Sequence, residues 1–423
     1  MEPSVESLYG QQALSERRSP MTYLPSDASK TGKPKILVLY VHTGGGHLSA
    51  ARAIEAAINS RYAGRYEVVI LNVSSACNSK QVSMMYESYN LMLKADPRYA
   101  KHGLRFLNAV NLEKVVLPLL RRAHQNVLRT IQREQPDLIV SVHAILNHTI
   151  IGVLKTLDLY GKVPYIIVCT DLTDNFLKGW ANPEATKIIT FTEMAKRQML
   201  DFGVPAEKVV VNSGFMVNPS FFEDKTTRAE ARELLGLDPK VFTVLISMGG
   251  MAIPRKTRAV VRALINSHLP LQLLVICGMN GPLKRQMHYM VRKCPLRIHV
   301  HGFTQRVGLM MTASDLMISK PGPGTIMESV IKGLPLLLDN VTEPMPQEIG
   351  NLEYAVAQGI AQKFTSYRQL PRIIDQLMQD RPVYEKMQMN MRRIKNEQAI
   401  FEVAETILAE LPVTMREHEL IHG

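Results

Sequence analysis

The chain has 423 residues, of which 46% are hydrophobic and 21% are charged, and its 50 Lys and Arg against 38 Asp and Glu give a formal charge of +12. This length predicts two domains, and the composition excludes a disordered or fibrous protein. The longest apolar stretch, from Leu138 to Ile151, is interrupted by polar residues and is shorter than the roughly 20 residues that a transmembrane helix needs.

The first 33 residues are polar and are predicted to form a flexible tail. They contain no apolar run behind a positively charged start, so they do not match a secretory signal. The four cysteines lie far apart without a Cys-x-x-Cys pair, which predicts neither a zinc site nor a disulfide framework. We therefore expect a cytoplasmic protein without a signal peptide or a transmembrane segment.

The apolar run Lys35–Tyr40 predicts a buried strand, and the spacing from Leu48 to Ile58 predicts a helix that follows a glycine loop. Four more strands are predicted in the first half of the chain: Tyr66–Val73, Asp137–Val142, Tyr165–Cys169 and Lys187–Phe191. Strands that alternate with helices predict a parallel sheet covered on both faces.

The segment from Lys80 to Arg133 holds ten basic and three acidic residues, a charge of +7, together with many apolar side chains. This combination fits a helix that docks on an anionic membrane, or equally a pair of amphipathic helices whose apolar face is core. The candidate docking residues are Tyr86, Tyr89, Met92, Arg98, Lys101, Arg105, Phe106, Arg121 and Arg122.

Turn residues near Asn218 separate the first half from a second alternation of strands and helices, which runs from Phe242 to Asp339. The predicted domains are therefore residues 34–218 and 219–395. A last amphipathic segment within residues 396–423 is predicted to pack across both domains. Two α/β halves predict a ligand between them, at the carboxyl ends of the strands.

The first glycine loop, Thr43–His47, joins a strand to a helix and predicts an anion or oxyanion site. It is not a Walker A loop, and it fails the dinucleotide pattern at Ser49, so a dehydrogenase is not expected. His47 is a candidate general base that faces the cleft, or a helix-start residue bonded to backbone. The loop sequence leaves both possibilities open.

Three further glycine loops lie in the second half, at Ser247–Gly250, at Cys277–Asn280 and at Ser319–Thr325, where a helix begins. The free backbone N–H groups of that helix could hold a diphosphate. Glu328 either forms a capping box with Thr325 or accepts hydrogen bonds from ribose hydroxyls. No Asp-x-Asp pair occurs in the chain, so no metal and no cofactor are predicted.

Seven segments together resemble one family: TGGGH, LSAARAIEAAI, SMGGM, VICGMN, HGFT, SKPGPGTIMES and PMPQEIGN. They resemble the GT-B glycosyltransferases that include monogalactosyldiacylglycerol synthase, processive diacylglycerol glucosyltransferase and, more distantly, the peptidoglycan N-acetylglucosaminyltransferase. The resemblance runs from about Lys35 to Ile407. It implies an α/β GT-B fold, in which two Rossmann-like domains have parallel sheets that face each other across a cleft.

The resemblance implies that the second domain binds a UDP-sugar: Glu328 the ribose, the glycine loops with Thr325 the diphosphate, and Gln347 with Glu348 the sugar hydroxyls. The implied donor-binding set is Gly249, Gly250, Gly302, Phe303, Gly322, Gly324, Thr325, Glu328, Gln347 and Glu348. His47 would be the base that deprotonates the acceptor. The candidates on the acceptor side are Gly45, Gly46, His143 and Asp171.

The chain departs from the family in lacking a histidine after Thr170-Asp171 and in having Asn218 where a basic residue is common. We expect inverting transfer of galactose or glucose from UDP to diacylglycerol at the cytosolic face of an anionic membrane, with no nucleic-acid partner. The alternatives are N-acetylglucosaminyl transfer to a lipid-linked peptidoglycan precursor, a non-catalytic nucleotide-sugar-binding protein, and a basic nucleic-acid binder.

Overall fold

The computed structural model describes residues 32–41, 45–73, 124–250, 252–342, 344–413 and 415. The nine candidate membrane-docking residues all lie between positions 74 and 123, outside the described residues. Within the described part of the chain, no helix combines the length and the apolar character that a bilayer span requires.

The described chain forms two six-stranded sheets in which every pair of neighbouring strands is parallel. The strands of the first sheet, in spatial order 2-1-3-4-5-6, are β1 Lys35–Tyr40, β2 Glu67–Asn72, β3 Leu138–Ser141, β4 Tyr165–Val168, β5 Lys187–Thr190 and β6 Val209–Val211. The strands of the second, in order 12-11-10-7-8-9, are β7 Phe242–Ser247, β8 Leu271–Ile276, β9 Arg297–His301, β10 Leu316–Ser319, β11 Leu336–Asp339 and β12 Ala361–Phe364. The predicted two-domain α/β class is confirmed.

Helices cover both sheets. Those of the first half are α1 Gly46–Arg61, a helical stretch at 124–134, α2 Asn147–Thr156 and α3 Glu193–Asp201. Those of the second half are α4 Ser220–Glu223, α5 Arg228–Leu234, α6 Pro254–Ile265, α7 Gly281–Val291, α8 Val307–Ala313, α9 Pro323–Lys332, α10 Pro346–Ala357, α11 Leu370–Gln379, α12 Arg381–Ile394 and α13 Ala399–Leu408. Helices α6, α7 and α9 each accept a proline in the first turn, where the backbone N–H is not needed for an intrahelical hydrogen bond.

Strand β1 shows how the first sheet is buried on both faces. Ile36 and Val38 pack in a cluster that includes apolar residues of α1, whereas Leu37 and Leu39 pack with residues of α2. All four are at most 1% exposed. The cluster around Ile36 also contains residues of the second sheet and of α13, so one continuous apolar core joins the two halves.

Helix α13 returns from the second half and packs against α1. The guanidinium of Arg61 lies 4.2 Å from the ring centroid of Phe401 and also pairs with Glu405. The Asn212 side chain, just after β6, donates to the Ala399 carbonyl at 2.9 Å. The carboxyl-terminal helix is thus part of the covering of the first sheet.

An ion-pair network around Asp315 fixes the second domain. Asp315, 9% exposed, accepts from Arg232 Nη2 at 2.5 Å, from Arg228 Nη1 at 2.8 Å and from the Thr243 backbone N–H at 2.8 Å. Arg232, 6% exposed, also donates from Nε to the Ala313 carbonyl at 2.9 Å. The network ties α5 to the starts of β7 and β10.

Removing the Asp315 carboxylate is expected to leave the Arg232 guanidinium buried without its counter-ion. We expect Asp315→Ala to lower the free energy of unfolding by about 3–5 kcal/mol. Glu385→Ala, which breaks the exposed Arg381–Glu385 pair, is the control and should cost less than about 1 kcal/mol. Urea denaturation followed by circular dichroism measures both, and equal costs would contradict a structural role for the network.

Candidate active site

The carboxyl ends of the two sheets face each other, and their backbones meet at two glycines. Gly45 immediately precedes α1, and Gly250 follows β7. A Cβ atom at Gly250 would lie 3.0 Å from both Cα and N of Gly45, closer than side chains normally approach backbone. Glycine at both positions therefore permits direct contact between the domains.

The loops that follow β7, β8 and β9 lie side by side. Gly278 has φ +54°, and a Cβ there would lie 2.0 Å from the Gly250 carbonyl oxygen, so only glycine fits. A Cβ at Gly302 would lie 3.7 Å from the Gly278 carbonyl oxygen. Beside it, the Phe303 ring is 58% exposed at the mouth of these loops. Sequence-distant glycines thus form one continuous loop surface.

His47 lies in the first turn of α1, against the ends of β3 and β4. Its Nδ1 is 2.7 Å from the Val142 carbonyl oxygen and 3.3 Å from Thr170 Oγ1. A carbonyl only accepts, so Nδ1 carries the proton and the lone pair of the neutral ring is on Nε2. The hydrogen bond to backbone that the sequence analysis raised is therefore present and orients the ring, and the role of His47 as general base stays a prediction.

The electrostatic surroundings of His47 keep it neutral. Burial lowers the pKa of His47 from 6.5 to about 4; the hydrogen bond to the Val142 carbonyl opposes this, and the positive charge of Lys320 adds to it. The ring lies 4.4 Å from the His143 ring and 6.3 Å from the Trp180 ring, measured between centroids.

His143 is 4% exposed and has the opposite tautomer. The Ile145 backbone N–H donates to His143 Nδ1 at 3.2 Å, so that nitrogen carries the lone pair and Nε2 carries the proton. Burial, with a contribution from His47, holds the pKa of His143 well below 6.5. We infer that His143 packs and orients its neighbour, while the lone pair available at Nε2 belongs to His47.

Asp171 follows β4 and is held by the indole of Trp180, whose Nε1–H donates to Asp171 Oδ2 at 2.8 Å. Burial raises the pKa of Asp171 to about 6, the Trp180 hydrogen bond opposes this, and the charge of Glu348 from the second domain raises it further. The carboxylates of Asp171 and Glu348 are thus close enough across the cleft to repel each other.

Glu328 points from α9 toward the first domain. Ser49 Oγ, in α1, lies 3.5 Å from Glu328 Oε1. Burial raises the pKa of Glu328 to about 7. The capping box with Thr325 is not formed, because α9 begins at Pro323 with Gly322 as its N-cap, and no side-chain cap bond is found there among the described residues.

Lys320 follows β10 and pairs with Glu348 in the first turn of α10. The lysine side chain is 34% exposed and the glutamate 13%. Next to Glu348, Gln347 has a buried Oε1 atom without a hydrogen-bond partner in the described part of the chain. A buried unpaired acceptor is costly, which makes Gln347 a candidate to accept from a ligand hydroxyl.

The structure therefore brings His47 and Asp171 of the first domain near Lys320 and Glu348 of the second, and Glu328 near Ser49 of α1. Gly46 lies in the first turn of α1, and Gly324 and Thr325 lie in the first turn of α9. Sequence reasoning assigned no role to Lys320, Ser49 or Trp180. Lys320 could have been found as the basic residue of a glycine-rich loop that is predicted to hold phosphate. The contacts of Ser49 and Trp180 give no pattern in the sequence.

Two sequence profiles match the chain. The monogalactosyldiacylglycerol (MGDG) synthase profile matches residues 47–213, and the glycosyltransferase family 28 C-terminal domain matches residues 244–403. The chloroplastic monogalactosyldiacylglycerol synthase of Spinacia oleracea is 30% identical over 364 residues, which is 84% of this chain and 68% of the relative. Synthase 1 of Arabidopsis thaliana is 30% identical over 393 residues, 90% of this chain and 72% of the relative.

Solved structures share the fold at lower identity. MurG of Acinetobacter baumannii aligns with a TM-score of 0.56 and 15% identity, covering 89% of this chain and 99% of that one. Anabaena HepE in complex with UDP-glucose aligns with a TM-score of 0.55 and 15% identity, covering 89% of this chain and all of the other. The predicted GT-B fold is confirmed.

The low pKa of His47 gives a direct titration test. Because burial penalises the imidazolium, His47 should stay neutral until the pH falls to about 4, whereas an ordinary histidine gains its proton near 6.5. Carbon-13 NMR of histidine-labelled protein measures this, with His47→Gln to assign the resonance. A His47 resonance that titrates near pH 6.5 would show that the ring is more hydrated than the structure indicates.

Proposed function

The chain belongs to the monogalactosyldiacylglycerol synthase family of glycosyltransferases, and from this premise we propose that it transfers a hexose from UDP to the free hydroxyl of diacylglycerol. The observation that carries the proposal is the pairing across the cleft. On the first domain, the imidazole Nε2 of His47 has no hydrogen-bond partner among the described residues, and it lies opposite glycine loops and a buried carboxylate on the second domain.

The charge of the second domain supports an anionic donor. Residues 252–314 contain ten basic residues and no Asp or Glu. These are Arg255, Lys256, Arg258, Arg262, Lys284, Arg285, Arg292, Lys293, Arg297 and Arg306. This stretch includes the loops after β8 and β9, so its field attracts a nucleoside diphosphate to the donor side of the cleft.

The donor in our proposal is UDP-galactose or UDP-glucose. Galactose follows from the name of the relatives, and the HepE neighbour was solved with UDP-glucose. Gln347 Oε1 would accept from a hexose hydroxyl, and Glu328 from the two ribose hydroxyls. We propose no metal, so the leaving diphosphate is stabilised by backbone N–H groups and by basic side chains.

In the proposed reaction the acceptor oxygen attacks C1 of the hexose while His47 Nε2 removes its proton. The C1–O bond to the diphosphate breaks, and its electron pair leaves with UDP. The Val142 carbonyl holds the tautomer that makes Nε2 the acceptor and stabilises the imidazolium that forms. A single displacement of this kind inverts the anomeric centre.

We further propose that the chain works as a peripheral protein on the cytosolic face of an anionic membrane. The support is the coincidence of basic and apolar residues between Lys80 and Arg133. Docking would let the diacylglycerol hydroxyl reach the cleft without leaving the bilayer.

The deciding experiment combines UDP-galactose, UDP-glucose and UDP-N-acetylglucosamine with vesicles that contain diacylglycerol or a lipid-linked peptidoglycan precursor. Mass spectrometry identifies the product, and NMR of the product identifies its anomer. We expect a monohexosyl diacylglycerol of inverted configuration. Transfer only to the peptidoglycan precursor would overturn the acceptor, and UDP-sugar binding without any product would indicate a non-catalytic binding protein.

Glu328 is expected to anchor the ribose, because a buried carboxylate can accept from both hydroxyls. Glu328→Gln should weaken UDP binding by about 1–3 kcal/mol, roughly a fivefold to 150-fold rise in Kd. Parent affinity should also increase as the pH rises through about 7, where Glu328 loses its proton, and the variant should lose this dependence. Calorimetry from pH 6 to 8 measures both. The control Ser49→Ala keeps the carboxylate but removes the hydrogen bond that lowers the pKa of Glu328, so it should retain the pH dependence and move it to higher pH. Unchanged UDP affinity in Glu328→Gln would exclude the ribose contact.

His47 is expected to act as the base, so His47→Ala should lower kcat by about 10²–10⁴-fold while the Kd for UDP stays near that of the parent. Initial rates of lipid product formation and calorimetry separate the two effects. A variant that keeps its activity would transfer the role to another group, with Asp171 the next candidate because its pKa is about 6.

A further inference from the structure

Lys320 lies between two glycine loops of the second domain. A Cβ atom at Gly249 would lie 2.8 Å from Lys320 Cε, and one at Gly322 would lie 3.9 Å from the same atom. The lysine stem therefore occupies the gap between the loop after β7 and the start of α9. These are the glycine loops to which the family resemblance assigns the donor diphosphate.

The ammonium group of Lys320 is at present directed to Glu348. Glu348 lies in the first turn of α10, where the helix dipole also favours a carboxylate. A diphosphate carries more negative charge than one carboxylate and would be flanked by the same loops, so it competes for the ammonium. Lys320 is the side chain that both anions can reach.

We propose that Lys320 exchanges partners: a nucleoside diphosphate bound between the glycine loops takes its ammonium group from Glu348, and the released carboxylate accepts hydrogen bonds from the hexose. This inference rests on the proposed function and deepens it. No covalent bond changes in the exchange.

The exchange distinguishes the donor from the product. A complete UDP-hexose satisfies both groups, because the diphosphate pairs with Lys320 and the hexose hydroxyls pair with Glu348. When UDP alone is bound, the Glu348 carboxylate has no hexose hydroxyl from which to accept a hydrogen bond, and it lies beside the negatively charged diphosphate. This arrangement is unfavourable. Once the hexose has been transferred, Glu348 therefore competes again for Lys320 and promotes the release of UDP.

The exchange also acts on His47. Among the described residues, the groups that face its ring are the Val142 carbonyl, Thr170, His143, Trp180 and Lys320. The charge of Lys320 lowers the pKa of His47. A bound diphosphate neutralises that charge, so the imidazole becomes a stronger base when the donor is in place.

Binding calorimetry tests the exchange without any lipid acceptor. Uridine, UDP and UDP-galactose are titrated into the parent, Lys320→Met, Glu348→Gln and the double variant. Lys320→Met should weaken UDP binding at least about tenfold, the size of one charge-assisted hydrogen bond, and leave uridine binding unchanged. Glu348→Gln should strengthen UDP binding and remove the preference for UDP-galactose over UDP.

The double variant distinguishes the exchange of Lys320 between partners from a simple electrostatic repulsion between Glu348 and the diphosphate. If Lys320 is released by Glu348→Gln, the gain in UDP affinity should be much smaller when Lys320 is already absent. An equal gain in both backgrounds overturns the exchange, and so does unchanged UDP binding in Lys320→Met. Lys320→Arg, which keeps the charge, should retain most of the affinity and excludes a folding defect as the cause.

Lys187→Met is the matched control, since Lys187 pairs with Glu410 at a similar exposure. It should leave the affinities for all three ligands unchanged.

A parent protein that binds neither UDP nor UDP-glucose nor UDP-galactose would overturn the proposed donor. A parent that binds UDP, with variants that do not follow the pattern above, would overturn the exchange alone.

Discussion

The close approach of Gly45 and Gly250 determines the geometry of the cleft. With no side chain at either position, the backbones of the two domains touch. This contact brings the first turn of α1 to the loops of the second sheet. As a result, the charge of Lys320 lowers the pKa of His47, and Ser49 Oγ lies 3.5 Å from Glu328 Oε1. A larger residue at either glycine would separate groups that act only when they are adjacent. The chemistry of the site therefore depends on a contact made without side chains.

The strands of the first half that were predicted are runs of apolar residues, and β1, β3 and β4 are buried along most of their length. Strands β6 and β12, which were not predicted, lie at sheet edges and have only three and four residues, whereas the predicted edge strand β2 has six. Strand β12 contains Gln362 and Lys363, which interrupt the apolar pattern. A strand this short offers few positions at which an apolar pattern can be recognised.

The glycine loops and His47 were predictable because they stand at junctions of strand and helix, where backbone N–H groups and turns are required. The tertiary contacts that these residues make were not predictable. Ser49 and Glu328 are 279 positions apart, and the partners of Lys320 depend on how the domains meet. The local sequence pattern indicates which functional groups are present, whereas tertiary packing determines their protonation states. The lowered pKa of His47 and the raised pKa of Glu328 both follow from burial that the sequence does not display.

The return of α13 to the first domain affects how the protein is made. The apolar residues of α1 share a cluster with Ile400, Val403 and Ala404, which are synthesised after the whole second domain. About 200 residues separate the end of β6 from the end of α13, so at roughly 5–20 residues per second the ribosome needs about 10–40 s to supply that covering. During this interval the nascent first domain exposes an apolar face of α1, and its folding is completed only after α13 has been synthesised.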